Sequence, residues 1–444
     1  MADAWGERMP RSVGLLNAVA VSIGITIGSG IFRAPATVAG LLHEPGPFLL
    51  CWVLGGVMAL CGALTVAELA AALPRSGGMF AYVLEGFGPV AAFLFGWAEL
   101  TVVRAAALGA IATIFAEYLG HFLPLSAARV RETAALLIVT VGVLNYVGVR
   151  RAAAVLSITT YAKYLAVMAL GLLAYTAAGG TWAHLRPLAS GPVSVSLTAT
   201  ALIPVMWTYD GWADVALIGG EVSNPQRTLP LALILGSAGV VLVYLVVNLG
   251  FMYALPLPEM AGSKLIAATV AGNIPLLAGA GAGVIAALVL VSTFSGLNAS
   301  LMVGARIFYA MGDRGLLFRA VAHISPRFDS PSVAIGICTA LGVVYVLQND
   351  FAQLADKFIL GIWPFYVLTV ASVFVLRRRR PELPRPYRVW GYPLVPAVFL
   401  LASAGMVANA LITDPVNTGV TLLIIAAGLP VYWMRGRLAG VRLR

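Results

Sequence analysis

The sequence predicts an all-α integral membrane protein with about twelve transmembrane helices. Of its 444 residues, 60% are hydrophobic and only 10% are charged, whereas a soluble domain carries about 25% charged residues. A chain with so few charges cannot cover itself with a polar surface, so we expect it to lie in a lipid bilayer. Apolar runs of about 20 residues, long enough to cross the hydrocarbon, recur along the chain. They lie near residues 13–41, 48–73, 88–120, 133–149, 154–178, 196–220, 229–254, 276–310, 332–347, 358–376, 394–413 and 417–434.

Basic residues are concentrated in alternate loops. If the N-terminus is cytoplasmic, the inner loops hold most of the arginines, including the run 377–380. The outer loops then hold only Arg129, Arg131, Arg186, Lys264 and Lys357. This bias is the positive-inside rule, and it predicts a multi-pass protein of the plasma (inner) membrane with both termini in the cytoplasm. The net charge of +10 therefore reflects topology, and we expect the bilayer rather than nucleic acid as its partner.

Two glycine-containing segments interrupt otherwise apolar spans. Residues 27–31 read Ile-Gly-Ser-Gly-Ile in the first span, and residues 208–211 read Thr-Tyr-Asp-Gly in the sixth. Non-helical backbone survives at membrane depth only where it is buried in protein or lines a wet cavity. Breaks at corresponding positions of two halves are typical of a transporter with inverted repeats, and they mark its substrate site.

The spacing of the breaks predicts one transporter domain over residues 1–444. Its first repeat covers about 13–178, its second about 196–376, and two additional helices cover about 394–434. Each repeat has five spans, an odd number, so the second repeat starts from the opposite side of the membrane. The two breaks are therefore expected to meet near the middle of the bilayer.

The first break predicts an anion site. Beyond Gly28, a new half-helix begins at about Ile31, and its first N–H groups lack partners within the helix; Ser29, Gly30 and Ile31 are therefore predicted site residues. Such groups, at the positive end of a helix dipole, suit a carboxylate. The alternative is that the Gly-x-Gly pattern is a packing seam between helices.

The ends of the preceding half-helices predict a cation site beside it. Carbonyl groups near Ile25 and Thr26 in the first span, and near Trp207 and Thr208 in the sixth, lose their partners four residues later. Carbonyls for a cation beside amides for an anion form a receptor for a zwitterion, of which an α-amino acid is the obvious example.

Aromatic and acidic residues surround the second break. Trp207 precedes it, and Tyr209, Asp210, Gly211 and Trp212 form or follow it. We expect Trp207 to close over a bound substrate as a lid. The alternative is that these aromatic side chains are packing fillers or membrane-interface anchors.

Ionisable residues inside spans are functional candidates because they are costly in lipid. Lys163 lies deep in the fifth span, where we expect its ammonium to brace the first span against the fifth and eighth. Arg104 and Glu99 lie in the third span and Asp210 in the sixth. A proton relay among the acids is one interpretation; structural pairing, with a partner for Arg104 that the sequence does not reveal, is the other. The four histidines lie in loops or at span ends and no nucleophile–base spacing is present, so we expect no metal, no cofactor and no enzyme activity.

Four groups of residues together resemble the amino acid–polyamine–organocation superfamily, and within it a bacterial member of the L-type amino acid transporter family. The resemblance runs from about residue 12 to 435. It is carried by Gly28-Ser29-Gly30-Ile31-Phe32, by Pro74-x-Ser76-Gly77-Gly78 with Tyr82, by Tyr209-Asp210-Gly211-Trp212 with Glu221-x-x-Asn224-Pro225 and Pro230, and by Arg380-Pro381-x-x-Pro384-Arg385-Pro386-Tyr387.

The resemblance implies a LeuT-like fold of five plus five inverted spans, with helices 1 and 6 unwound at the centre, and transport by alternating access. It implies that Lys163 occupies the place of a sodium ion and makes transport sodium-independent, and that Asn298 lies near the substrate. Trp207 matches the family's lid aromatic. Animal relatives bind a glycoprotein through a cysteine between spans three and four; the segment 120–132 has no cysteine, so no disulfide-linked heavy chain is expected.

These observations predict a sodium-independent amino acid transporter that works as an exchanger. Few charges near the breaks favour neutral L-amino acids, small ones first. Two alternatives stay open: a proton-coupled amino acid symporter, and an exchanger of cationic amino acids or polyamines, which Asp210 and a cation–π contact to the lid would favour. A non-transporting amino acid sensor is a further possibility, since binding and transport share a site.

Overall fold

A computed structural model describes residues 11–75, 77–147, 165–277, 279–313, 317, 319–328 and 330–438. These residues form helices joined by turns and loops. The helices are α1 Leu15–Thr26, α2 Ala34–Leu41, α3 Pro45–Ala72, α4 Gly78–Phe87, α5 Pro89–Leu119, α6 Ala127–Val147, α7 Leu165–Thr176, α8 Val195–Tyr209, α9 Pro225–Ala254, α10 Leu257–Gly262, α11 Ile266–Gly272, α12 Gly281–Asp313, α13 Ser332–Gln348, α14 Phe351–Arg379, α15 Leu394–Thr413, α16 Pro415–Ala426 and α17 Gly428–Leu438.

Among the described residues, eight helices are long and apolar enough to cross a membrane, the last of them being α16 and α17 taken together over Pro415–Met434. Three shorter apolar helices, α1, α7 and α13, lie at the first, fifth and ninth predicted spans. The helix α8 lies at the sixth. The predicted succession of spans is therefore confirmed, with bounds that shift by a few residues because interfacial turns such as 127–132 are also helical.

Both predicted breaks are present. The helix α1 ends at Thr26, and only a short 3₁₀ turn, Gly30–Phe32, precedes α2. The helix α8 ends at Tyr209, and a 3₁₀ turn, Asp214–Ile218, follows it. Between them Gly211 has a φ of 103°, a left-handed conformation that glycine adopts at little cost and other residues do not. The helix therefore stops where the sequence provides the residue that permits the turn.

The broken helices pack on α3 and α9 through a buried aromatic cluster. The ring of Tyr209 lies 6.0 Å from that of Trp52 on α3 and 5.2 Å from that of Tyr244 on α9. The Tyr244 hydroxyl donates a hydrogen bond of 2.9 Å to the carbonyl of Thr26 at the end of α1. Buried aromatic pairs contribute about 0.5–1.5 kcal/mol beyond the area they bury, so this cluster fixes both breaks against a continuous helix.

The two broken segments are also joined where they leave the membrane. Val13, just before α1, donates to the carbonyl of Glu221 and accepts from the N–H of Ser223, both at 3.0 Å. On the opposite side of the broken helices, α5 packs against α12, α13 and α14. The breaks therefore lie between two packed groups of helices, one built on α3 and α9 and the other on α5 and α12.

Candidate functional site

A cavity of about 800 Å³ lies where the two breaks meet, within the range of small-molecule sites. Its walls come from both breaks and from α5, α12 and α14. Eight of the predicted site residues line it: Ile25, Thr26, Gly28, Ser29, Gly30, Trp207, Thr208 and Asp210.

The backbone of the first break has donors to spare. Among the described residues, no group accepts a hydrogen bond from the N–H groups of Ser29, Gly30 or Ile31. The next two N–H groups, of Phe32 and Arg33, bond back to the carbonyls of Ser29 and Gly30 at 3.2 and 3.0 Å. Three successive unpaired donors therefore mark the start of the half-helix, as an anion site requires.

Unpaired acceptors lie at the ends of the preceding half-helices. Within the described part of the chain, the carbonyls of Ile25, Trp207 and Thr208 accept no hydrogen bond. Thr26 requires a correction, because its carbonyl already accepts from the Tyr244 hydroxyl and, at 2.8 Å, from the N–H of Gly28. A carbonyl oxygen has two lone pairs, so Thr26 lines the cavity but has no acceptor capacity left for a substrate ammonium.

Trp207 closes one end of the cavity. Its ring packs edge-to-face on the ring of Phe358, with the two centroids 4.7 Å apart. The ring of Phe351 also lies edge-to-face to it, with a centroid separation of 6.4 Å. The guanidinium of Arg33 lies 5.4 Å from the centre of the Phe351 ring and forms an ion pair of 3.0 Å with Glu117. Three aromatic rings and a mostly buried ion pair therefore separate the cavity from that side of the protein.

The other end of the cavity reaches the opposite side. Asn17, Gly77 and Met311 line it there, and Gly77 belongs to the turn that follows Arg75. The cavity therefore extends toward the arginine-rich side and is blocked by Trp207 on the other.

A buried ion pair lines the wall formed by α5. Arg104 donates to Glu99 at 2.8 Å and to the hydroxyl of Ser300 at 3.0 Å. Glu99 begins a π-helical turn, Glu99–Val103, in which residues five apart rather than four apart come into register. Gly304 makes room for the arginine, since a Cβ there would stand 2.7 Å from Arg104 Cδ. The partner of Arg104 that the sequence did not reveal is therefore Glu99.

Acids outnumber bases on the described walls of the cavity. Glu99, Asp210 and Asp214 line it, against the single guanidinium of Arg104. Asp210 accepts a hydrogen bond from the hydroxyl of Tyr366 on α14. The expectation of few charges near the breaks was therefore wrong: helix packing brings charges from α5 and from residues 210–214 into one space.

Four predicted site residues do not line the cavity. Two of them, Asn298 and Tyr209, have side chains that bond elsewhere in the protein. Asn298 is buried and accepts a hydrogen bond of 2.7 Å from Asn145 on α6. The cavity stripe of α12 follows residues three or four apart, and position 298 lies on the neighbouring face. Tyr209 donates to the carbonyl of Trp52 at 3.2 Å within the aromatic cluster. The other two are Ile31 and Gly211.

Sequence reasoning missed the functional positions of Tyr366, Ser300 and Ser292, which all line the cavity. They are neutral residues inside long helices, so only the helix phase distinguishes them from packing residues. Lys163, predicted to brace the first span, lies outside the described residues. The three cysteines, Cys51, Cys61 and Cys338, are buried and unpaired.

The chain is similar to known amino acid transporters over most of its length. The family model for amino acid permeases matches residues 13–434. The serine/threonine exchanger SteT of Bacillus subtilis is 29% identical over 96% of this chain and 97% of its own length. The human b(0,+)-type amino acid transporter 1 and the human cystine/glutamate transporter are each 30% identical over 96% of this chain, and the matches cover 88% and 85% of their lengths.

Proposed function

The chain belongs to the amino acid permease family, a family of membrane transporters rather than enzymes, and on this premise we propose that it is a sodium-independent exchanger of small neutral L-amino acids. It is a multi-pass membrane protein with a LeuT-like fold. Among its relatives, SteT is named as a serine/threonine exchanger and another, from mouse, as an Asc-type amino acid transporter. Their substrate class is the starting point for this chain.

One observation carries the proposal: the two breaks bring N–H groups (Ser29, Gly30) and carbonyls (Ile25, Trp207, Thr208) to one cavity, and none of these has a hydrogen-bond partner among the described residues. In the proposed complex, the N–H groups of Ser29 and Gly30, which line the cavity, donate to the substrate carboxylate. The substrate ammonium donates to the carbonyls of Ile25 and the 207–208 pair. Because both polarities are fixed in the backbone, a ligand that lacks either charged group leaves buried partners unsatisfied, which costs about 1–3 kcal/mol for each group.

The blocked end of the cavity supports alternating access. We infer that the structure is the inward-facing form, in which the arginine-rich side is cytoplasmic and Trp207 is the closed outer lid. Opening to the outside then requires that Trp207 leave Phe358 and that the ion pair between Arg33 and Glu117 separate. The proposed location is the plasma membrane, with both termini in the cytoplasm.

Sodium independence is proposed from the resemblance alone, which assigns the place of the ion to the ammonium of Lys163. Replacing external sodium by N-methylglucamine should leave uptake into proteoliposomes unchanged. A fall in uptake that tracks sodium concentration would instead require a coupled ion.

The exchange proposal is tested with purified protein in proteoliposomes and radiolabelled L-serine. Uptake should need unlabelled amino acid inside the vesicle and should be insensitive to a pH gradient. Competition by each of the twenty amino acids and by decarboxylated amines then defines the substrate class. Uptake into empty vesicles driven by a pH gradient would establish the proton symporter in place of the exchanger, and bound serine without flux would establish a sensor.

The excess of acids on the cavity wall favours a second candidate, an exchanger of cationic amino acids or polyamines. Among the described residues that line the cavity, the guanidinium of Arg104 is the one cation that faces the carboxylates of Glu99, Asp210 and Asp214, so a substrate ammonium would be attracted. L-Lysine should then compete with labelled serine, and Asp210→Asn should weaken the binding of lysine several-fold more than the binding of serine. The exposed Glu132→Gln on α6 is the matched control. Equal effects on the binding of both substrates would reject the cationic candidate and leave neutral amino acids as the substrate class.

A further inference from the structure

The arginine run at the end of α14 contains two kinds of residue. Arg377 is bound by both oxygens of Glu68, at 2.9 and 2.6 Å, and Arg380 pairs with Glu85 at 2.8 Å. These two arginines are therefore held by carboxylates of the protein itself, and they fasten the end of α14 to α3 and α4.

Arg378 and Arg379 between them are not used in this way. Both are exposed, and neither forms an ion pair with a described carboxylate. The only hydrogen bond of Arg379 within the described chain is a long one, 3.4 Å, to the carbonyl of Gly86. Topology alone explains why arginines occur at this membrane face, but it does not explain why two of them remain uncompensated side by side.

The two unpaired guanidinium groups line a small pocket together with two apolar residues. The pocket has a volume of about 220 Å³, and its walls are Phe374, Val375, Arg378 and Arg379. The apolar residues are one helical turn before the arginines, so each lies directly below one of them on the same face of α14. Along the helix, the surface changes from apolar to cationic over about 6 Å.

Aromatic residues place this pocket at the boundary of the bilayer. The ring of Phe374 lies 5.2 Å from that of Tyr392, and Trp390 and Leu394 are 79% and 70% exposed. Exposed Trp and Tyr side chains of a membrane protein concentrate at the level of the lipid head groups. Along α14 an apolar surface is followed by an aromatic boundary and then by guanidinium groups. A phospholipid presents its acyl chains, its interfacial region and its phosphate in the same order.

We propose that Phe374, Val375, Arg378 and Arg379 form a binding site for one anionic phospholipid of the arginine-rich leaflet. Its phosphate lies between the guanidinium groups of Arg378 and Arg379, and the first part of an acyl chain lies on Phe374 and Val375. Two guanidinium groups bind phosphate oxygens through paired N–H donors. Because Arg377 and Arg380 on either side hold Glu68 and Glu85, a bound lipid stabilises the junction of α14 with α3 and α4.

The test compares lipid retention by full-length protein reconstituted in equal amounts of phosphatidylcholine and phosphatidylglycerol, with bound lipid counted by native mass spectrometry. The wild type should retain phosphatidylglycerol preferentially. The double variant Arg378→Gln, Arg379→Gln should lose about 25-fold in affinity, since each arginine near an anionic leaflet contributes about fivefold. The matched control is Arg129→Gln, Arg131→Gln, two exposed arginines on α6, which should keep the preference.

Three outcomes would overturn the proposal. They are equal retention of both lipids by the wild type, unchanged retention of phosphatidylglycerol by the double variant, and displacement of the lipid by millimolar inorganic phosphate, which would identify a site for small anions. A charge-conserving variant, Arg378→Lys, Arg379→Lys, controls for misfolding: it should keep part of the preference, because lysine keeps the charge and lacks the paired N–H donors, and complete loss would contradict recognition by charge. Thermal unfolding in pure phosphatidylcholine should be the same for all variants.

Discussion

Gly30 and Thr208 bring the two broken helices into backbone contact: a Cβ atom on Gly30 would lie 2.8 Å from both Cα and Oγ1 of Thr208. The second glycine repeats the relationship in reverse, because a Cβ on Gly211 would lie 3.1 Å from Cα of Thr26. Each break therefore has a glycine at the point where the other break crosses it. The donors and acceptors of the site are held in register by this crossing.

The first prediction separates the two glycines of the first break. Gly30→Ala should destabilise the protein by about 1–3 kcal/mol, because the methyl group meets backbone that cannot yield without moving α8. Gly28→Ala is the matched control, since a Cβ there meets only the carbonyl of Thr26 at 3.9 Å. Its methyl group enters the cavity, so we expect unchanged unfolding and weaker serine competition.

Thermal unfolding and competition assays on the same preparations check both expectations. If Gly30→Ala unfolded like the wild type, the crossing would not be as tight as described. If Gly28→Ala bound serine with full affinity, the carboxylate would not approach this part of the break.

The second prediction concerns the ion pair that covers the lid. Glu117→Gln leaves the guanidinium of Arg33, whose side chain is only 15% exposed, without its carboxylate. Loss of a partly buried pair costs at least about 1 kcal/mol, so the outer end should open more often. An introduced cysteine at Ile111, which lines the cavity, should then be labelled at least about fivefold faster from outside by an impermeant thiol reagent.

The background for this experiment lacks the native thiols, which are buried. The matched control is Glu85→Gln, which removes a carboxylate from the other side of the protein, where it pairs with Arg380. Equal labelling of the cavity cysteine in the Glu117→Gln variant and its parent would show that the aromatic rings alone close the lid.

The third prediction tests the pair at the π-helical turn. Glu99→Gln should cost about 3 kcal/mol or more, because Arg104 keeps its charge in a buried site without its counter-ion. The double variant Glu99→Leu, Arg104→Met should be closer to the wild type than the single variant, since it removes both charges. A double-mutant cycle of unfolding free energies, in which Glu99→Leu and Arg104→Met are also measured singly, gives the coupling. Strict additivity of the two substitutions would mean that the ion pair contributes nothing.

Particular residues show what the sequence could and could not provide. The breaks were predictable because each of them contains glycine. The unpaired N–H donors were predictable from helix geometry. The sequence did not predict that the Thr26 carbonyl is already occupied, because that depends on Tyr244, which lies 218 residues away along the chain. The Glu99 pairing was hidden by a π turn, which has no sequence signature. Asn298 was assigned by resemblance, and the phase of α12 turns it toward Asn145.

The fourth prediction addresses Lys163, which the sequence places deep in the fifth span. If its ammonium takes the place of a coupling ion, Lys163→Ala should abolish exchange of serine while leaving some binding, because the substrate's own donors and acceptors lie in the breaks. Lys163→Arg is the control that keeps the charge, and it should retain part of the flux. Flux in proteoliposomes and binding by calorimetry are measured on the same protein, with and without sodium. Full flux in the alanine variant would contradict the bracing role of Lys163. If sodium restored flux to the alanine variant, the lysine would be shown to substitute for that ion.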